Sequence, residues 1–526
     1  MERIERTWAA SLAAGAMLLV IPFLIFVRYH DYSLATPEIL TSFGLLAAVG
    51  ILLGLAMEIA GAISRVLILS GLITLMVDIQ VESPERDGIL WGTFGASLIF
   101  GWLLRRQLAR VGSVVLVVLL VSSAVLPAGR VAAITHPVEK PAPGNPALPN
   151  FLHIILDEQI GVEGIPAEFD PDGHHTQALQ SFYLDRGFQV FGRSYSRYFD
   201  TSFSLSNLFN FETGAVSGNH DVRVGTGFAL TNNAYFDLMT KRGYQIHVYQ
   251  TDYLDFCRSE GANIASCFTY HLESIKSIED APLGISEKIR VVLSMYARLS
   301  NLFSRHVPAL RRVSSVSTIA VFDKLQADML RADPGSLFLV HLMLPHYPYA
   351  YRANCELRPS TADWLYAHDE RLRPRRNDAA SREERYPRYL EQVACLNLKL
   401  GSLFDALEDV GLLEQTMILV HGDHGSRIDL LPPTAWWDSE LTATDYVDLF
   451  STLVAFKTPD GRAAYDRRML PLDSLFSMLV RRKEVPTGEG WIGNDHVMLR
   501  RGKSRKFLER AMPEFSRAPA PHAAER

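Results

Sequence analysis

The chain has 526 residues, of which 48% are hydrophobic and 21% are charged. That length exceeds one compact domain, and that apolar content excludes a largely disordered chain. Lysine and arginine total 52 against 58 aspartate and glutamate, so the chain lacks the basic excess with which proteins bind DNA or RNA, and nucleic acid is not expected as a partner.

The first quarter of the chain contains five apolar segments, each bounded by charged residues or by Pro and Gly. The segments are Trp8–Val27, Ile39–Ile63, Val66–Val81, Gly88–Leu104 and Val111–Leu126. At about 1.5 Å per residue, the first two can cross a hydrocarbon core about 30 Å thick, while the third and fourth are marginal. We predict an α-helical transmembrane anchor over residues 1–126 with about five spans; four spans is the alternative. No small-residue cleavage site follows the first segment, so we predict that it is retained.

The distribution of arginine predicts the orientation of these spans, because loops on the cytoplasmic side accumulate basic residues. A cytoplasmic N-terminus with five spans places six arginines inside and three outside. The inside set is Arg3, Arg6, Arg65, Arg105, Arg106 and Arg110, and the outside set is Arg28, Arg86 and Arg130. We therefore predict a multi-pass protein of the bacterial inner (cytoplasmic) membrane, with everything after residue 126 in the periplasm or outside the cell.

All four cysteines lie in this exported part, where thiols can oxidise. We expect Cys257 to pair with Cys267 and Cys355 with Cys395, although four cysteines allow three connectivities. Before them, residues 127–149 are proline-rich and predict a stiff linker between membrane and domain. The exported domain is predicted over residues 150–510, and a disordered tail over residues 511–526.

Short apolar runs with little alternation predict strands that are buried on both faces of a sheet. These runs are Phe151–Leu156, Tyr244–Tyr249, Leu337–Met343, Thr416–Val420 and Thr452–Phe456. Helical patterns lie between them, and one with leucines from Leu390 to Leu407 ends near Gly411. Alternation of strand and helix predicts an α/β domain whose central sheet is covered on both sides.

Polar residues follow three of these strands directly. Asp157 and Glu158 come after the first, His341 and His346 lie in and after the third, and the fourth runs into His421, Asp423, His424 and Arg427. Ligands gather at the carboxyl ends of strands in such sheets, and carboxylates with imidazoles suit a divalent cation. His153 and His247, which lie inside strands, are expected to be core histidines with satisfied hydrogen bonds.

Four segments resemble the alkaline phosphatase/sulfatase superfamily. They are PNFLHIILDEQ from Pro149, TSFSLSNLF from Thr201, HLMLPHYPY from His341 and ILVHGDHGSR from Ile418. The resemblance covers roughly residues 149–500 and is strongest to the membrane-anchored bacterial branch of phosphoethanolamine and phosphoglycerol (lipoteichoic acid synthase-like) transferases. It implies a sulfatase-like domain with a mixed, mostly parallel sheet.

The resemblance also implies roles for individual residues. Asp157, Asp423 and His424 match the metal ligands, and Thr201 matches the nucleophile that also contacts the metal; Ser202 is the alternative nucleophile. His346 and His341 match histidines that act on the substrate. Arg427, Glu158 and His496 are candidates for substrate binding. Glu158 could instead be a second acidic metal ligand or only a polar neighbour of the site. His496 could instead hold an extra metal ion or be an ordinary surface or turn residue.

These roles together imply a metal-dependent enzyme. It would move a phosphoethanolamine or phosphoglycerol group from a phospholipid donor to a glycan or lipid acceptor of the cell envelope, through a phosphothreonine intermediate. One divalent ion is expected; zinc and manganese are favoured, and magnesium and calcium also suit the ligands. The alternatives are a phosphodiesterase or sulfatase-like hydrolase of the same fold and a non-catalytic membrane component. Sulfate ester hydrolysis is disfavoured because the Thr201 segment lacks the Pro and Arg of a CxPxR motif.

A basic amphipathic segment, Ile285 to Arg312, has two interpretations. It either lies on an anionic membrane surface or packs as a solvated helix on the sheet.

Overall fold

A computed structural model describes fourteen stretches of the chain. They are residues 2–59, 61–80, 86–105, 116–123, 134–137, 141–212, 222–224, 227–272, 274–300, 313–365, 379–428, 441–482, 496–500 and 507–515. The chain forms two compact units. The anchor unit comprises Met1–Ala132, Glu273–Val313 and Pro359–Tyr366, and the sheet unit comprises Ala133–Leu272, Ser314–Arg358 and Ala367–Arg526.

The anchor unit begins with four helices that match the first four predicted segments. They are α1 (Glu2–Tyr29), α2 (Pro37–Ile59), α3 (Gly61–Gln80) and α4 (Arg86–Leu103). Among the described residues, three stretches are long and apolar enough to cross a membrane: Trp8–Tyr29, Pro37–Ile59 and Gly61–Asp78. Of the fifth predicted segment, only residues 116–123 fall in the described ranges, and they are helical. The count of five spans stays a prediction.

Glu58, near the end of α2, forms an ion pair with Arg65 in α3 at 2.9 Å and accepts a hydrogen bond from Ser11 in α1. The second predicted segment, Ile39–Ile63, is divided between α2, which ends at Ile59, and α3, which begins at Gly61. The pairing compensates a carboxylate that would be costly to leave unpaired among apolar helices.

Two further stretches of the chain join the anchor unit. They contribute the helices α8 (Lys276–Glu279), α9 (Ile285–Arg298) and α11 (Ala362–Leu365). Helix α9 is the first half of the predicted amphipathic segment, and residues 301–312 lie outside the described residues. Within the anchor unit α9 contacts α2, and the ring of its Tyr296 lies 5.2 Å from that of Phe23 in α1.

The sheet unit is built on a sheet of nine strands, counted within the described residues. The strands are β1 (Ile134–Pro137), β2 (Phe151–Leu156), β3 (Gln189–Tyr195), β6 (Gln245–Thr251), β8 (Ile264–Tyr270), β9 (Ser336–Leu342), β10 (Met417–Gly422), β11 (Val454–Lys457) and β12 (Ala464–Pro471). Their order across the sheet is β1-β8-β6-β9-β2-β10-β11-β3-β12. Strands β8, β6, β9, β2 and β10 run parallel, while β1 and β11 pair antiparallel with their neighbours in this sheet. The sheet is mixed and mostly parallel, as predicted.

Smaller strands and helices complete this unit. A three-stranded sheet has β4 (Val222–Val224), β5 (Gly227–Ala229) and β7 (Leu254–Asp255), and a hairpin has β13 (His496–Arg500) and β14 (Phe507–Ala511). The helices are α5 (His174–Leu184), α6 (Thr201–Phe209), α7 (Ala234–Lys241), α10 (Ser314–Met329), α12 (Ala379–Asp409), α13 (Ala443–Phe450) and α14 (Leu472–Arg482). Single 3-10 turns lie at Val162–Gly164 and Leu413–Gln415.

Alternate residues of β2 supply the hydrophobic clusters on the two faces of the sheet. Leu152 and Ile154 join the cluster that contains the leucines of α12, whereas Phe151 and Ile155 join the cluster that contains α6, α7 and α14. Every residue of β2, β9 and β10 is buried. Helices on both sides explain why these strands lack alternation, because neither face meets water.

The structure also revises two boundaries. Ile134–Pro137, inside the predicted linker, pairs as an edge strand with β8, whereas residues 127–133 and 138–140 lie outside the described residues. Met512 and Phe515, inside the predicted tail, are buried in a cluster with Tyr195 and Phe199. The ordered domain therefore extends to Phe515 at least, and residues 516–526 lie outside the described residues.

Candidate metal centre and nucleophile

Three adjacent parallel strands end at one edge of the sheet. In their register Leu156 of β2 lies between Leu342 of β9 and Gly422 of β10. Asp157 therefore follows β2 beside Asp423 and His424, which follow β10. The backbone N–H of Asp157 donates to the carbonyl of Leu342 at 2.9 Å, which ties the start of this loop to β9.

Two glycines allow the backbone to approach closely at this edge. A Cβ atom on Gly422 would lie 2.4 Å from the carbonyl oxygen of Gln159, and one on Gly425 would lie 2.1 Å from that of Asp448. Real Cβ atoms do not come this close to backbone, so both positions require glycine. The tight backbone that the HGDHG pattern predicts is present on both sides of Asp423 and His424.

Asp157, Asp423 and His424 form a buried group in which one ligand atom from each lies within 4.8 Å of the others. The Asp423 Oδ1 atom accepts hydrogen bonds from the backbone N–H of Glu158 at 3.1 Å and of His424 at 2.9 Å. These bonds fix the carboxylate. Its Oδ2 atom and the Oδ1 atom of Asp157 are buried without a hydrogen-bond partner among the described residues.

The ring of His424 presents an acceptor to these oxygens. Its Nδ1 atom faces the carbonyl of Gly425 at 2.9 Å and so carries the proton in the neutral ring, which leaves the Nε2 lone pair facing Asp423 Oδ2 at 3.2 Å. Burial and the charge of Arg427 lower the pKa of His424 to about 4, so the neutral ring prevails near pH 7. Two acceptors facing each other across 3.2 Å, together with the unpartnered oxygens, fit a bound divalent cation.

The two carboxyl groups have opposite pKa shifts. Burial would raise the pKa of Asp157, but His346, His341 and His424 outweigh it and hold that pKa below its usual range. Burial and the charge of Asp157 raise the pKa of Asp423 well above its usual range. The two shifts favour a negative charge on Asp157 over one on Asp423.

Thr201 begins helix α6 and directs its hydroxyl into this group. Its Oγ1 atom lies 3.2 Å from Asp157 Oδ2 and 3.2 Å from His424 Nε2. The Asp200 side chain caps the helix by accepting from the backbone N–H of Ser202 at 3.1 Å. Ser204, one turn into the helix, donates its hydroxyl to the carbonyl of Asp423 at 2.7 Å, which holds α6 against the loop that carries the ligands.

Ser202, the alternative nucleophile, directs its hydroxyl elsewhere. Its Oγ atom donates to Asp200 Oδ1 at 2.6 Å and so takes part in the helix cap. The structure brings Thr201, and not Ser202, into hydrogen-bond distance of Asp157 and His424.

The two histidines of the HLMLPHYPY segment differ in exposure. His341 is fully buried, and its Nε2 atom lies 3.6 Å from Asp157 Oδ2. The His346 side chain retains 13% exposure, and its Nε2 atom lies 3.8 Å from Glu158 Oε1. Both rings therefore border the carboxylates, but His346 alone of the two has access to the exterior.

Glu158 and Arg427, two of the predicted substrate-binding residues, are engaged with each other. The Arg427 Nε and Nη2 atoms donate to Glu158 Oε1 at 3.0 and 2.5 Å, and Nη1 donates to the carbonyl of Phe199 at 3.2 Å. Burial would lower the pKa of Arg427, but the charges of Glu158 and Asp157 outweigh it and raise that pKa. Asp157, Glu158 and His346 also form a second group of possible ligands within 4.8 Å, so the metal-ligand role of Glu158 stays open.

His496, the third predicted substrate-binding residue, begins the β13–β14 hairpin. Its carbonyl accepts from Arg197 Nη1 at 2.8 Å, and Arg197 also forms a buried ion pair with Asp473 at 2.7 Å. Neither group of possible metal ligands found among the described residues includes His496.

A buried histidine pair lies in the strands that carry the ligands. His153 Nε2 faces His421 Nε2 at 2.8 Å, His153 Nδ1 faces the Tyr235 hydroxyl at 3.1 Å, and His421 Nδ1 faces the carbonyl of Gly422 at 2.7 Å. Burial lowers the pKa of both rings, that of His421 to about 4. With both rings neutral, Tyr235 donates to His153 Nδ1, His153 Nε2 donates to His421 Nε2, and His421 Nδ1 donates to the carbonyl of Gly422. Every ring nitrogen has a partner, so His153 is a core histidine, as predicted.

Tyr389, on α12, supports the loop that carries Asp157. Its hydroxyl donates to the carbonyl of Glu158 at 2.7 Å and accepts from the backbone N–H of Ile160 at 2.9 Å. No sequence signal pointed to this residue or to the Arg197–Asp473 pair, because each contact joins segments more than 200 residues apart.

The cysteines form two disulfides, Cys257–Cys267 and Cys355–Cys395. Both lie in the sheet unit.

A sulfatase family model matches residues 149–451. Among solved structures, the zinc complex of the C-terminal periplasmic domain of EcEptC from Escherichia coli is 12% identical, with 66% of this chain and 85% of that chain covered and a TM-score of 0.37. The phosphonate monoester hydrolase of Agrobacterium radiobacter is 15% identical, with 67% and 80% covered and a TM-score of 0.40. A protein in the alkaline phosphatase superfamily from Vibrio parahaemolyticus is 12% identical, with 72% and 78% covered and a TM-score of 0.38. No curated protein matches the chain.

Proposed function

The chain belongs to the sulfatase family, within the alkaline phosphatase superfamily, and from that premise we propose that it is a membrane-bound, metal-dependent phosphotransferase. In this proposal it moves a phosphoethanolamine or phosphoglycerol group from a phospholipid to a glycan or lipid acceptor of the cell envelope, through a phosphothreonine intermediate. Members of the superfamily are metal-dependent enzymes, so an enzymatic role is the starting point.

The observation that carries the proposal is the position of the Thr201 hydroxyl. It lies 3.2 Å from both Asp157 and His424, inside a group of oxygen and nitrogen acceptors that fits a cation. A threonine hydroxyl is a weak nucleophile near neutral pH, and a divalent ion held by Asp157, Asp423 and His424 would supply the positive charge that makes its alkoxide accessible.

The proposed reaction has two displacement steps. In the first, Thr201 Oγ1 loses its proton and forms a bond to the phosphorus of the donor, the bond from phosphorus to the diacylglycerol oxygen breaks, and that oxygen takes up a proton. In the second, an acceptor hydroxyl forms a bond to the same phosphorus, loses its proton, and Thr201 Oγ1 leaves and regains one. The substituted phosphate is therefore conserved from donor to acceptor.

The histidines have different parts in this proposal. The His346 side chain is 13% exposed and borders the carboxylates, so we assign it the protonation of the diacylglycerol oxygen. His341 is fully buried beside Asp157, and we assign it the orientation of that carboxylate. The start of α6 adds backbone N–H groups, which favour a bound phosphate next to Thr201.

One cation per chain is the proposed stoichiometry. Glu158, the shared member of a second possible group, already accepts two hydrogen bonds from Arg427. The guanidinium supplies positive charge where a second ion would otherwise be needed. Zinc and manganese are favoured by the mixture of one imidazole and two carboxylates, and magnesium and calcium also suit the oxygens.

The candidate membrane spans of the anchor unit support a lipid as the proposed donor. Three helices among the described residues are long and apolar enough to hold the chain in a bilayer. A domain held there meets phospholipid at a high local concentration, which raises the rate of transfer from a lipid donor. We propose a multi-pass protein of the bacterial inner membrane whose sheet unit lies in the periplasm or outside the cell.

The decisive experiment measures both products of the first step. Full-length protein in liposomes that contain headgroup-labelled phosphatidylethanolamine or phosphatidylglycerol should release diacylglycerol and transfer the label to an added glycan or lipid acceptor in equal amounts. Thr201→Ala is the matched control and should do neither. Label that appears as free phospho-headgroup, with the acceptor present, would identify a hydrolase instead, and an absence of diacylglycerol with every donor would favour a non-catalytic component.

A further inference from the structure

Helix α9 (Ile285–Arg298) has an apolar arc that is wider than the part the protein covers. At about 100° per residue, Val291, Val292 and Met295 lie on one half of this arc, and all three are buried. Ile285, Ile289 and Leu293 follow at intervals of four residues on the other half. Ile285 is 52% exposed, and the other two are partly exposed. We name these three residues the apolar stripe.

The apolar stripe lies beside a contact between α9 and a candidate membrane span. Tyr296, eleven residues after Ile285, lies on the same side of the helix. Its ring lies 5.2 Å from that of Phe23 and 5.5 Å from that of Phe26. Both phenylalanines belong to the candidate span Trp8–Tyr29. Both rings are buried, so α9 packs directly on this span, and the stripe is the exposed apolar surface next to that contact.

Polar contacts place α9 and its flanks at one end of the bundle of spans. Ser300 donates its hydroxyl to Asp78 at 2.6 Å, where the span Gly61–Asp78 ends. Glu279, just before α9, accepts from the backbone N–H of Ser33 at 3.2 Å, in the turn after α1. Because Phe23 lies six residues before the end of α1, Tyr296 sits about 9 Å below that end. This is the depth at which amphipathic helices lie in a membrane interface.

Charge does not explain the placement of this helix. Arg290 pairs with Glu287 at 2.8 Å, and Lys288 donates to the carbonyl of Glu279. These cations therefore have partners within the anchor unit, whereas the side chains of the apolar stripe remain partly or largely exposed.

We propose that the apolar stripe contacts the acyl chains of bilayer phospholipid, in the leaflet at which α1 and α3 end. Helix α9, although it lies within the stretch matched by the sulfatase family model, is then an interfacial part of the membrane anchor. The inference concerns membrane contact and does not depend on the reaction proposed above.

Site-specific photo-crosslinking tests it in the full-length protein. A photoreactive amino acid replaces Ile285 or Leu293, and the protein is placed in liposomes of radiolabelled phosphatidylethanolamine and phosphatidylglycerol. Two matched controls replace Leu398, an apolar residue of α12 that is 53% exposed, and Arg290, on the polar side of α9. We expect labelled lipid on the protein from positions 285 and 293, and none above background from positions 398 and 290.

Two results would overturn the inference. Lipid labelling at positions 285 and 293 that does not exceed the labelling at positions 290 and 398 would show that the stripe does not contact acyl chains. A crosslinked band of twice the chain's mass from position 285, without lipid, would show that a second copy covers the stripe. Because Ile285 is exposed, its replacement should not prevent folding, and unchanged gel-filtration behaviour in detergent checks this.

Discussion

Glu158 and Arg427 both have left-handed backbone conformations, with φ of 63° and 53°, and they form a buried ion pair with each other at 3.0 Å. Residues other than glycine in this region cost about 1–3 kcal/mol each and persist only when their surroundings hold them. Glu158 directly follows Asp157, and Arg427 lies three residues after His424. The ion pair therefore holds together the two loops that carry the candidate metal ligands.

Loss of the guanidinium should destabilise the protein strongly. Arg427→Met leaves Glu158 buried without its partner, which costs about 3–5 kcal/mol. Glu158→Gln in the same chain removes the unpaired charge and should recover part of that loss. Thermal unfolding of the single and double variants in detergent measures the coupling. A single Arg427→Met variant as stable as the parent protein would contradict a structural role for the pair.

The hydroxyl groups of Thr201 and Ser202 should have separable effects. Thr201→Ala should lower the transfer rate by a factor on the order of 10³ or more, as the loss of a nucleophile does in other enzymes. Ser202→Ala removes one bond of the helix cap, so it should cost about 1 kcal/mol of stability and leave the transfer rate close to that of the parent. Initial rates and melting temperatures of both variants check this. The reverse ranking of the two rates would assign the nucleophile to Ser202.

Metal content should depend on Asp423. Loss of a residue that only supports a ligand weakens metal binding about 10–100-fold, and loss of the ligand itself should weaken it further. Asp423→Asn should therefore abolish the one equivalent of metal expected in the purified protein, as measured by mass spectrometry of the metal. Asp405→Asn is the control, because Asp405 is 60% exposed and pairs only with Arg186 among the described residues. Equal metal content in the two variants would contradict the assigned centre.

Metal affinity should rise with pH. Burial and Asp157 raise the pKa of Asp423, so protons compete with a cation for this carboxylate at a higher pH than for an ordinary aspartate. In that pH range binding releases protons, and affinity falls as the pH falls. Titration calorimetry in two buffers of different ionisation enthalpy measures the released protons. Uptake of protons on binding would contradict the charge state assigned to the pair.

The central strands were predictable because each is buried on both faces. Phe151–Leu156 and the strands beside it are continuous apolar runs, a pattern that short surface strands do not produce. Strand β12 (Ala464–Pro471) contains three charged residues and stays partly exposed, and β1 lies in a proline-rich stretch, so neither has that signal. The amphipathic pattern of α9 was visible, but a pattern identifies an apolar face and not the surface that covers it.

The candidate ligands were predictable for a similar reason. Asp157 and Asp423 follow the ends of buried strands, and parallel strands bring such positions together. The partner of Arg427 was not predictable, because Glu158 lies 269 positions away and only the folded chain makes them neighbours. The role of the His496 ring stays a prediction, because the contact with Arg197 at the start of the hairpin is made by the backbone carbonyl of His496.

The central claim, that Thr201 becomes covalently phosphorylated with metal assistance, is tested most directly by peptide mass spectrometry. The protein is incubated with donor lipid and metal, without acceptor, and is quenched in acid before digestion. We expect a substituted phosphate on the peptide that contains Thr201, located at that residue, lost on chelation and absent from Thr201→Ala. Transfer that proceeds at full rate in Thr201→Ala, or an adduct at Ser202, would contradict it.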